Sequence, residues 1–374
     1  MALLSVPLDE LRTRVSAKWR LYDPDILPMW VAEMDTRMPP AVKQTVVDAL
    51  DRSDTGYAYG TDYAEAFAAM AADRWGWQLS PADQIRRGPD VMASILAVLL
   101  AVTEPGDAVL INPPVYAPFR QVITGYGRRI LEAPLTASGR LDLAAVEQAL
   151  TGAETPRAYL LCSPHNPTGV VHSEAELASL MELANRSGVQ VIADEIHACL
   201  VDPGTSFVPV QRVPGGERAI TVTSAGKAWN LAAFKAGLTI AGPEATAVLA
   251  SPAVAWQSTP HLANLAHTAA LVHAQDWVYE LATELAANKQ LLATELASQL
   301  PQVEYQPQPG TYLAWVDCSK LGLQSPGRTF RDRGRVAFSG GSQFAPSHRQ
   351  WVRINLACSP DLVREAVKRM AASL

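Results

Sequence analysis

Residues 219–227 read Ala-Ile-Thr-Val-Thr-Ser-Ala-Gly-Lys, an apolar run followed by a bend of small residues and a lysine. Ala219–Thr223 has the length and β-branched composition of a buried strand. Most of the seven lysines lie in polar stretches, where we expect them to be solvated. Lys227 differs, because desolvation after a buried strand lowers the pKa of an amine, and a neutral amine can form a Schiff base with an aldehyde. The alternative is a structural lysine in a salt bridge.

Similar apolar runs recur along the chain, separated by segments with helical spacing. The strand-length runs are Ala108–Ile111, Ala158–Cys162, Val189–Ala193 and Leu238–Ala241. The helical segments are Val91–Thr103, Leu141–Leu150, Glu174–Ser187 and the long region Gln257–Leu300, which breaks near Asp276-Trp277. Continuously apolar strands spaced by helices predict an α/β fold with a parallel sheet that is buried on both faces.

The pattern changes after the long helical region. From about Val303, strands at Thr311–Val316 and Val352–Leu356 mix with a final helix from Pro360. This α+β pattern predicts a second, smaller domain, and 374 residues are enough for two domains. We place the change of domain near residue 270.

Composition and charge argue against several kinds of partner. Hydrophobic residues make up 48% and charged residues 18% of the chain, as in ordinary globular proteins. The net charge of −6 and the pI near 5.7 argue against nucleic-acid or anionic-membrane binding, since both favour basic surfaces. The longest apolar stretch, Ile95–Val102, is far shorter than the roughly 20 residues that cross a bilayer. Residues 1–19 lack the apolar core of a signal peptide.

The four cysteines are scattered, without a CxxC pair. Most lie within or beside apolar runs, so we expect buried free thiols in a reducing compartment and a cytoplasmic protein. The histidines have no metal-ligand spacing with cysteine or acidic partners, and we expect no metal site.

Polar side chains follow two of the predicted strands, at the edge where open α/β sheets bind ligands. The turn Ser163–Gly169 presents the amide of Asn166; the alternative is a plain Asn-Pro turn. Asp194, in the sequence Asp194–His197, comes directly after Val189–Ala193. A carboxylate in that position is costly unless it is paired, and the alternative is a helix N-cap.

Further basic residues could bind anionic groups. Lys235 lies in the apolar stretch Leu231–Leu238 without an acidic neighbour in sequence, so we expect a buried ammonium beside a ligand phosphate; the alternative is snorkelling to solvent. Ser224 and the N-terminus of the helix near Val91 could add a hydroxyl and N–H groups. Arg353, in a predicted strand, suits a substrate carboxylate, or an internal Arg–Asp pair.

Taken together, these motifs resemble the fold type I pyridoxal 5'-phosphate (PLP) superfamily, the aminotransferase class I/II fold. Within it the chain is most similar to the carbon–sulfur lyase branch, the cystathionine β-lyases of the MalY/PatB type. Leu27–Asp35 resembles the N-terminal signature of that branch, and so does Asp194–His197, since many aminotransferases carry Tyr in place of His197. Asn166–Gly169 and the Ser-x-x-Lys motif at Ser224–Lys227 are typical of the wider superfamily.

The resemblance implies a large PLP-binding domain, residues 36–270, with a mostly parallel seven-stranded sheet between helices. It implies a smaller α+β C-terminal domain, residues 271–374, against which residues 1–35 pack. It also implies a small amino-acid substrate and a homodimer with shared active sites.

The resemblance implies a role for each candidate residue. Lys227 carries PLP and moves the substrate Cα proton, and Asp194 pairs with the pyridine nitrogen. Asn166 binds the 3-oxygen of the ring, with His197 beside it, and Tyr116 stacks on the ring. Val91, Met92, Ser224 and Lys235 bind the phosphate, together with Tyr57 of the neighbouring subunit. Arg353 and the backbone near Ala32 bind the substrate carboxylate.

We therefore expect β-elimination of L-cystathionine or a related L-cysteine S-conjugate to a thiol, pyruvate and ammonia. The chain departs from the branch pattern at Glu33, Thr36 and Cys199, where Asp, Phe and an acidic residue are usual. The resemblance therefore does not determine the substrate pocket. One alternative is an aminotransferase that uses an L-amino acid and a 2-oxo acid. Another is a PLP-binding regulatory protein without turnover.

Overall fold

The structure is a computed structural model that describes residues 2–255 and 257–374. Its centre is a seven-stranded sheet in the order β2-β8-β7-β6-β5-β3-β4. The strands are β1 (Leu27–Pro28), β2 (Ile85–Gly88), β3 (Ala108–Ile111), β4 (Arg129–Glu132), β5 (Ala158–Cys162), β6 (Gln190–Asp194), β7 (Ile220–Thr223), β8 (Gly237–Ala241), β9 (Leu313–Asp317), β10 (Val336–Ala337), β11 (Ser339–Gly340) and β12 (Trp351–Asn355). Only β8 pairs antiparallel with its neighbours β7 and β2, which confirms the predicted mostly parallel seven-stranded sheet.

Helices cover both faces of this sheet. They are α1 (Leu8–Leu11), α2 (Ala17–Arg20), α3 (Pro40–Asp51), α4 (Asp62–Trp75), α5 (Pro81–Gln84), α6 (Val91–Val102), α7 (Ala117–Thr124), α8 (Leu143–Thr151), α9 (Glu174–Arg186), α10 (Pro252–Ala255), α11 (His261–His273), α12 (Gln275–Gln299), α13 (Pro326–Asp332) and α14 (Pro360–Ala372). In β5, Leu160 packs with residues of α6 and α7, whereas Tyr159 and Leu161 pack with residues of α8 and α9. Burial on both faces explains why the strands read as unbroken apolar runs.

A second, antiparallel sheet has the order β11-β12-β9. Its apolar residues form one cluster with α14 and with N-terminal residues that include Val6, Leu11 and Trp19. The chain start is also tied to this part by β1, which pairs parallel with β10. The domain limits at residues 35 and 270 stay predictions, and Met1 lies outside the described residues.

The long helical region divides into α11 and α12 at Ala274, two residues before the predicted break at Asp276. The first half of α12 packs into the core under the large sheet through Val278 and Leu281. Its second half packs into the cluster of the small sheet through Leu292 and Leu296. This single helix therefore joins both cores.

Two lysines outside the predicted site are exceptions to the expected exposure of most lysines. Lys18 is 1% exposed and forms an ion pair of 2.7 Å with Asp35. Lys289 is also 1% exposed and pairs with Asp202 at 2.6 Å. Each ammonium is buried by residues distant in sequence, which the local polarity of the chain does not reveal.

All four cysteines are buried free thiols, as expected. Among residues 2–255 and 257–374, every helix is too short or too polar to span a bilayer. The same residues contain no cluster of three or more His, Cys, Asp or Glu side chains arranged to hold a metal ion.

Candidate active site

Lys227 lies just beyond the carboxyl end of β7, after the bend at Ser224–Gly226. Its Nζ donates a hydrogen bond of 3.0 Å to the backbone oxygen of Ala32. The described residues offer this amine no ion pair, so the salt-bridge alternative is wrong. Burial, reinforced by the positive charge of Arg353, lowers the pKa of the Lys227 amine to about 8. The lowered pKa increases the neutral fraction of the amine near physiological pH, and the neutral form is the one that acts as a nucleophile.

Asp194 lies at the same edge of the sheet, because β5, β6 and β7 are parallel neighbours. It is 4% exposed, and its carboxylate accepts a hydrogen bond of 3.1 Å from the N–H of Ile196. The segment that follows is a turn rather than a helix, so the N-cap alternative is wrong. Burial raises the pKa of Asp194 to about 7. A cation beside this carboxylate would offset the cost of burying its charge.

Arg353 and Asn166 meet in the space between the two sheets. Nη1 of Arg353 donates to Oδ1 of Asn166 at 2.9 Å, and its Nη2 donates to the backbone oxygen of Trp30 at 3.0 Å. The guanidinium lies over the ring of Phe344, 4.9 Å from its centroid. Burial lowers the pKa of Arg353 to about 10, so it stays cationic at neutral pH. The internal Arg–Asp pair considered above does not form within the described ranges, which leaves this cation available to a substrate anion.

Aromatic side chains border the same space. Tyr116 begins α7, and burial together with the nearby charge of Asp194 raises the pKa of its phenol. His197 is 2% exposed, and burial lowers its pKa to about 3, so the imidazole is neutral. Its Nδ1 has no hydrogen-bond partner among the described residues. Its ring meets Tyr312 edge-on with centroids 6.2 Å apart.

The N-terminus of α6 has the features of an anion site. Asp90 caps the helix by accepting a hydrogen bond of 2.8 Å from the N–H of Ala93. The N–H groups of Val91 and Met92 find no acceptor in the part of the chain that the structure describes. The Ser224 hydroxyl donates to the oxygen of Ala236 at 2.6 Å, so binding a phosphate there requires it to rotate.

The expectation that Lys235 is buried is wrong. Its side chain is 67% exposed and pairs with Asp90 at 3.1 Å. Leu231 and Ala236 are buried, while the long side chain of Lys235 reaches solvent, which is the snorkelling alternative. The pairing with Asp90 nevertheless places this cation beside the N-terminus of α6.

The two remaining candidates have different surroundings. Tyr57 is fully exposed in the single chain, so its predicted contact with a neighbouring subunit stays a prediction. Ala32 faces the site through its backbone oxygen, which accepts the hydrogen bond from Lys227. A carbonyl cannot donate to a substrate carboxylate, so only the N–H of Ala32 could help Arg353 in the way predicted.

Sequence reasoning missed a buried network behind Ser224. The Tyr63 hydroxyl accepts from the N–H of Ala225 at 3.2 Å and lies 3.1 Å from Nδ1 of His267. Nε2 of His267 lies 2.7 Å from the oxygen of Phe234, so that nitrogen carries the proton. Burial lowers the pKa of His267 to about 4, which is consistent with a neutral ring. Because Tyr63 and His267 are 204 residues apart, no local pattern could reveal the pair.

The residues present fit PLP. Asp194 is a buried carboxylate that forms no ion pair among the described residues, and it is suited to a protonated pyridine nitrogen. Lys227 is an amine of lowered pKa, suited to an aldehyde. The free N–H groups at the start of α6 suit a phosphate. Each part of the cofactor thus has a complementary group.

Comparison with known proteins agrees with this geometry. The model of the family "Aminotransferase class I and II" matches residues 24–370. A putative cystathionine β-lyase of Mycobacterium tuberculosis is 44% identical over 398 aligned residues, covering 100% of this chain and 98% of that protein. Cystathionine β-lyase PatB of Bacillus subtilis is 31% identical and covers 94% of this chain and 93% of its own length. The crystal structure of a putative PLP-dependent β-cystathionase from Corynebacterium diphtheriae superimposes with a TM-score of 0.92 at 31% identity, covering 99% and 98% of the two chains.

The sheet order and the site define a PLP-dependent enzyme of fold type I. The chain belongs to the aminotransferase class I and II family, in its MalY/PatB branch. The family resemblance carried by the sequence motifs is thereby confirmed.

Proposed function

We propose that this chain is a PLP-dependent carbon–sulfur β-lyase that cleaves L-cystathionine or related L-cysteine S-conjugates to a thiol, pyruvate and ammonia. The observation that carries the proposal is the half-buried Lys227 amine, which has no carboxylate partner among the described residues and faces the same space as Asp194 and Arg353. The names of the relatives in Mycobacterium tuberculosis and Bacillus subtilis support the choice of reaction.

Arg353 positions the substrate. Its guanidinium is buried and has no carboxylate partner among the described residues, so it can bind the α-carboxylate of an amino acid through charge-assisted hydrogen bonds. Asn166 already holds one of its terminal nitrogens at 2.9 Å and so fixes the plane of the fork. The substrate is thereby held with its Cα near Lys227.

Lys227 transfers the substrate proton. PLP, when bound, supplies the electron sink that makes the substrate Cα proton acidic. The neutral Nζ of Lys227 takes that proton, and Asp194 holds the proton on the pyridine nitrogen. The bond between Cβ and sulfur breaks with its electron pair on sulfur, which leaves as a thiolate and takes up a proton. The unsaturated amino acid that remains reacts with one water to give pyruvate and ammonia.

We also propose a cytoplasmic homodimer in which residue 57 completes the partner's phosphate site. Tyr57 and Tyr59 are 102% and 92% exposed, which suits residues that become buried on assembly. Tyr57 lines a depression of about 500 Å³ together with Pro89, the residue before the cap of α6.

The proposed division of the chain into domains is an N-terminal segment to residue 35, a large domain to residue 270 and a small domain beyond it.

The decisive experiment mixes purified protein with L-cystathionine, without a 2-oxo acid, and measures pyruvate and thiol. We expect both products in equal amounts, and none from a Lys227→Ala protein. Lys368→Ala, which removes an exposed lysine, is the matched control and should keep full activity. Turnover that requires a 2-oxo acid would show that the chain is an aminotransferase and not a lyase. Normal activity of Lys227→Ala would overturn the proposal.

A further inference from the structure

Residues 30–36, here called the strap, cross the site with their carbonyl groups bound by side chains from other elements. The oxygen of Trp30 accepts hydrogen bonds from Arg353 Nη2 at 3.0 Å and from Ser339 Oγ at 2.7 Å. The oxygen of Ala32 accepts the hydrogen bond from Lys227 Nζ at 3.0 Å. The strap therefore touches both the predicted catalytic amine and the carboxylate-binding guanidinium.

Asn230 ties the strap to the loop that carries Lys227. Its Oδ1 accepts from the N–H of Met34 at 2.9 Å, and its Nδ2 donates to the oxygen of the same residue at 3.0 Å. The side-chain amide thus pairs with both backbone groups of one residue, two positions from Ala32. Asn230 has a φ of +55°, a left-handed conformation that Asn tolerates better than most residues.

The other side chains that hold the strap come from elsewhere. Lys18 donates to the oxygen of Glu33 at 3.0 Å, and Asn355 donates to the oxygens of Val31 and Glu33 at 2.7 Å each. Arg14 donates to the oxygen of Met34 at 3.2 Å, beside Asn230, and to the oxygen of Thr36 at 2.7 Å. These residues belong to the N-terminal segment and to β12. Asn230 differs because it lies three residues after Lys227, so it fixes the strap relative to the amine itself.

We infer that Asn230 is a positioning residue that sets the distance between the Ala32 oxygen and Lys227 Nζ, and so aims the amine when it is not joined to the cofactor. The inference rests on the proposed role of Lys227. The carbonyl at 3.0 Å fixes where the Nζ protons lie and favours the protonated amine. The same strap position keeps the Trp30 oxygen on Arg353.

Three variants separate the side-chain bonds from the backbone conformation. Asn230→Gly removes both hydrogen bonds but accepts the positive φ. Asn230→Asp keeps the acceptor for the Met34 N–H and loses the donor to its oxygen. Ser53→Gly is the control, because Ser53 is exposed and has a similar φ of +56°.

The test measures amide hydrogen exchange across residues 30–36 and the pH dependence of chemical labelling of Lys227 in the cofactor-free full chain. It also measures kcat and KM of the holoenzyme. For Asn230→Gly we expect faster exchange in the strap, a labelling midpoint at lower pH, and a kcat/KM lower by about tenfold, the size of effect that two lost hydrogen bonds produce. In strap exchange and in kcat/KM, Asn230→Asp should lie between this variant and the native chain, and Ser53→Gly should match the native chain in every readout.

Unchanged strap exchange and an unchanged labelling midpoint in a folded Asn230 variant overturn the inference. If Asn230→Gly does not fold, hydrogen exchange of the strap in Asn230→Asp decides. Borohydride reduction of the native holoenzyme followed by peptide mapping tests the proposed function separately. PLP found on a residue other than Lys227 would refute that function, whatever the Asn230 variants show.

Discussion

Nη1 of Arg353 donates a hydrogen bond of 2.9 Å to Oδ1 of Asn166, joining β12 of the small sheet to the turn that follows β5 of the large sheet. The two residues are 187 positions apart. One end of the proposed carboxylate clamp is thus held by a proposed cofactor-binding residue. Substrate binding and cofactor geometry should therefore be energetically coupled.

A double-mutant cycle measures this coupling. Arg353→Met should raise KM by about a hundredfold, since hydrogen bonds to a charged group contribute about 1.5–3 kcal/mol each. Asn166→Ala should lower kcat/KM, and the two effects should not add, because the residues contact each other. Strict additivity of the two changes in kcat/KM would show that the hydrogen bond does not couple them. Arg349→Met, at an exposed position, is the control.

The lowered pKa of Lys227 predicts a pH dependence for cofactor attachment. The neutral amine attacks the aldehyde, so the rate at which the cofactor-free chain takes up PLP should rise with pH and level off above about 8. Arg353 helps to lower this pKa, so Arg353→Met should move the midpoint to higher pH, whereas Arg353→Lys should leave it nearly unchanged. Stopped-flow absorbance at a series of pH values measures the midpoint in the native chain and in both variants. A midpoint that is the same with and without a positive charge at position 353 would contradict the assigned effect of Arg353 on the Lys227 pKa.

The buried pair of Lys18 and Asp35 predicts a large loss of stability when one partner is removed. Lys18→Met leaves a carboxylate that is 2% exposed without its cation, which should lower the free energy of unfolding by about 3–5 kcal/mol. Urea denaturation measures the change. The exposed pair of Lys320 and Glu304 provides the control, since Lys320→Met should leave the urea midpoint unchanged. Equal effects of the two substitutions would show that burial of the first pair is unimportant.

The exposed ammonium of Lys235 predicts an effect on cofactor affinity without an effect on folding. Lys235→Ala should weaken PLP binding by about fivefold at low salt, because a surface charge contributes up to about 1 kcal/mol, and the difference should shrink as salt screens it. Fluorescence titration at two salt concentrations gives the Kd values. A difference that persists at high salt would mean that Lys235 becomes buried when PLP binds.

The sequence by itself determined five of the seven strands of the large sheet and identified the main candidate residues of the site. β3 and β5 have the predicted limits, because strands buried on both faces leave unbroken apolar runs that can be read locally. Lys227, Asp194 and Asn166 could be identified as candidates because each lies within four residues of the end of such a run, and parallel strands bring their carboxyl ends to one edge. The family motifs then implied roles for residues such as Tyr116 and Tyr57, which no local pattern explains.

Only the tertiary structure decided which charges are buried and what holds the catalytic groups. The polar stretch around Lys18 does not reveal its burial, and the expectation that Lys235 is buried was wrong, because burial depends on residues that are distant in sequence. Likewise, Asn230 meets Met34 across 196 positions. A hydrogen bond of this kind leaves no periodicity in the chain, since its partners are brought together by packing of separate elements. The sequence therefore identifies candidate groups for the chemistry, and the fold fixes their charge state and orientation.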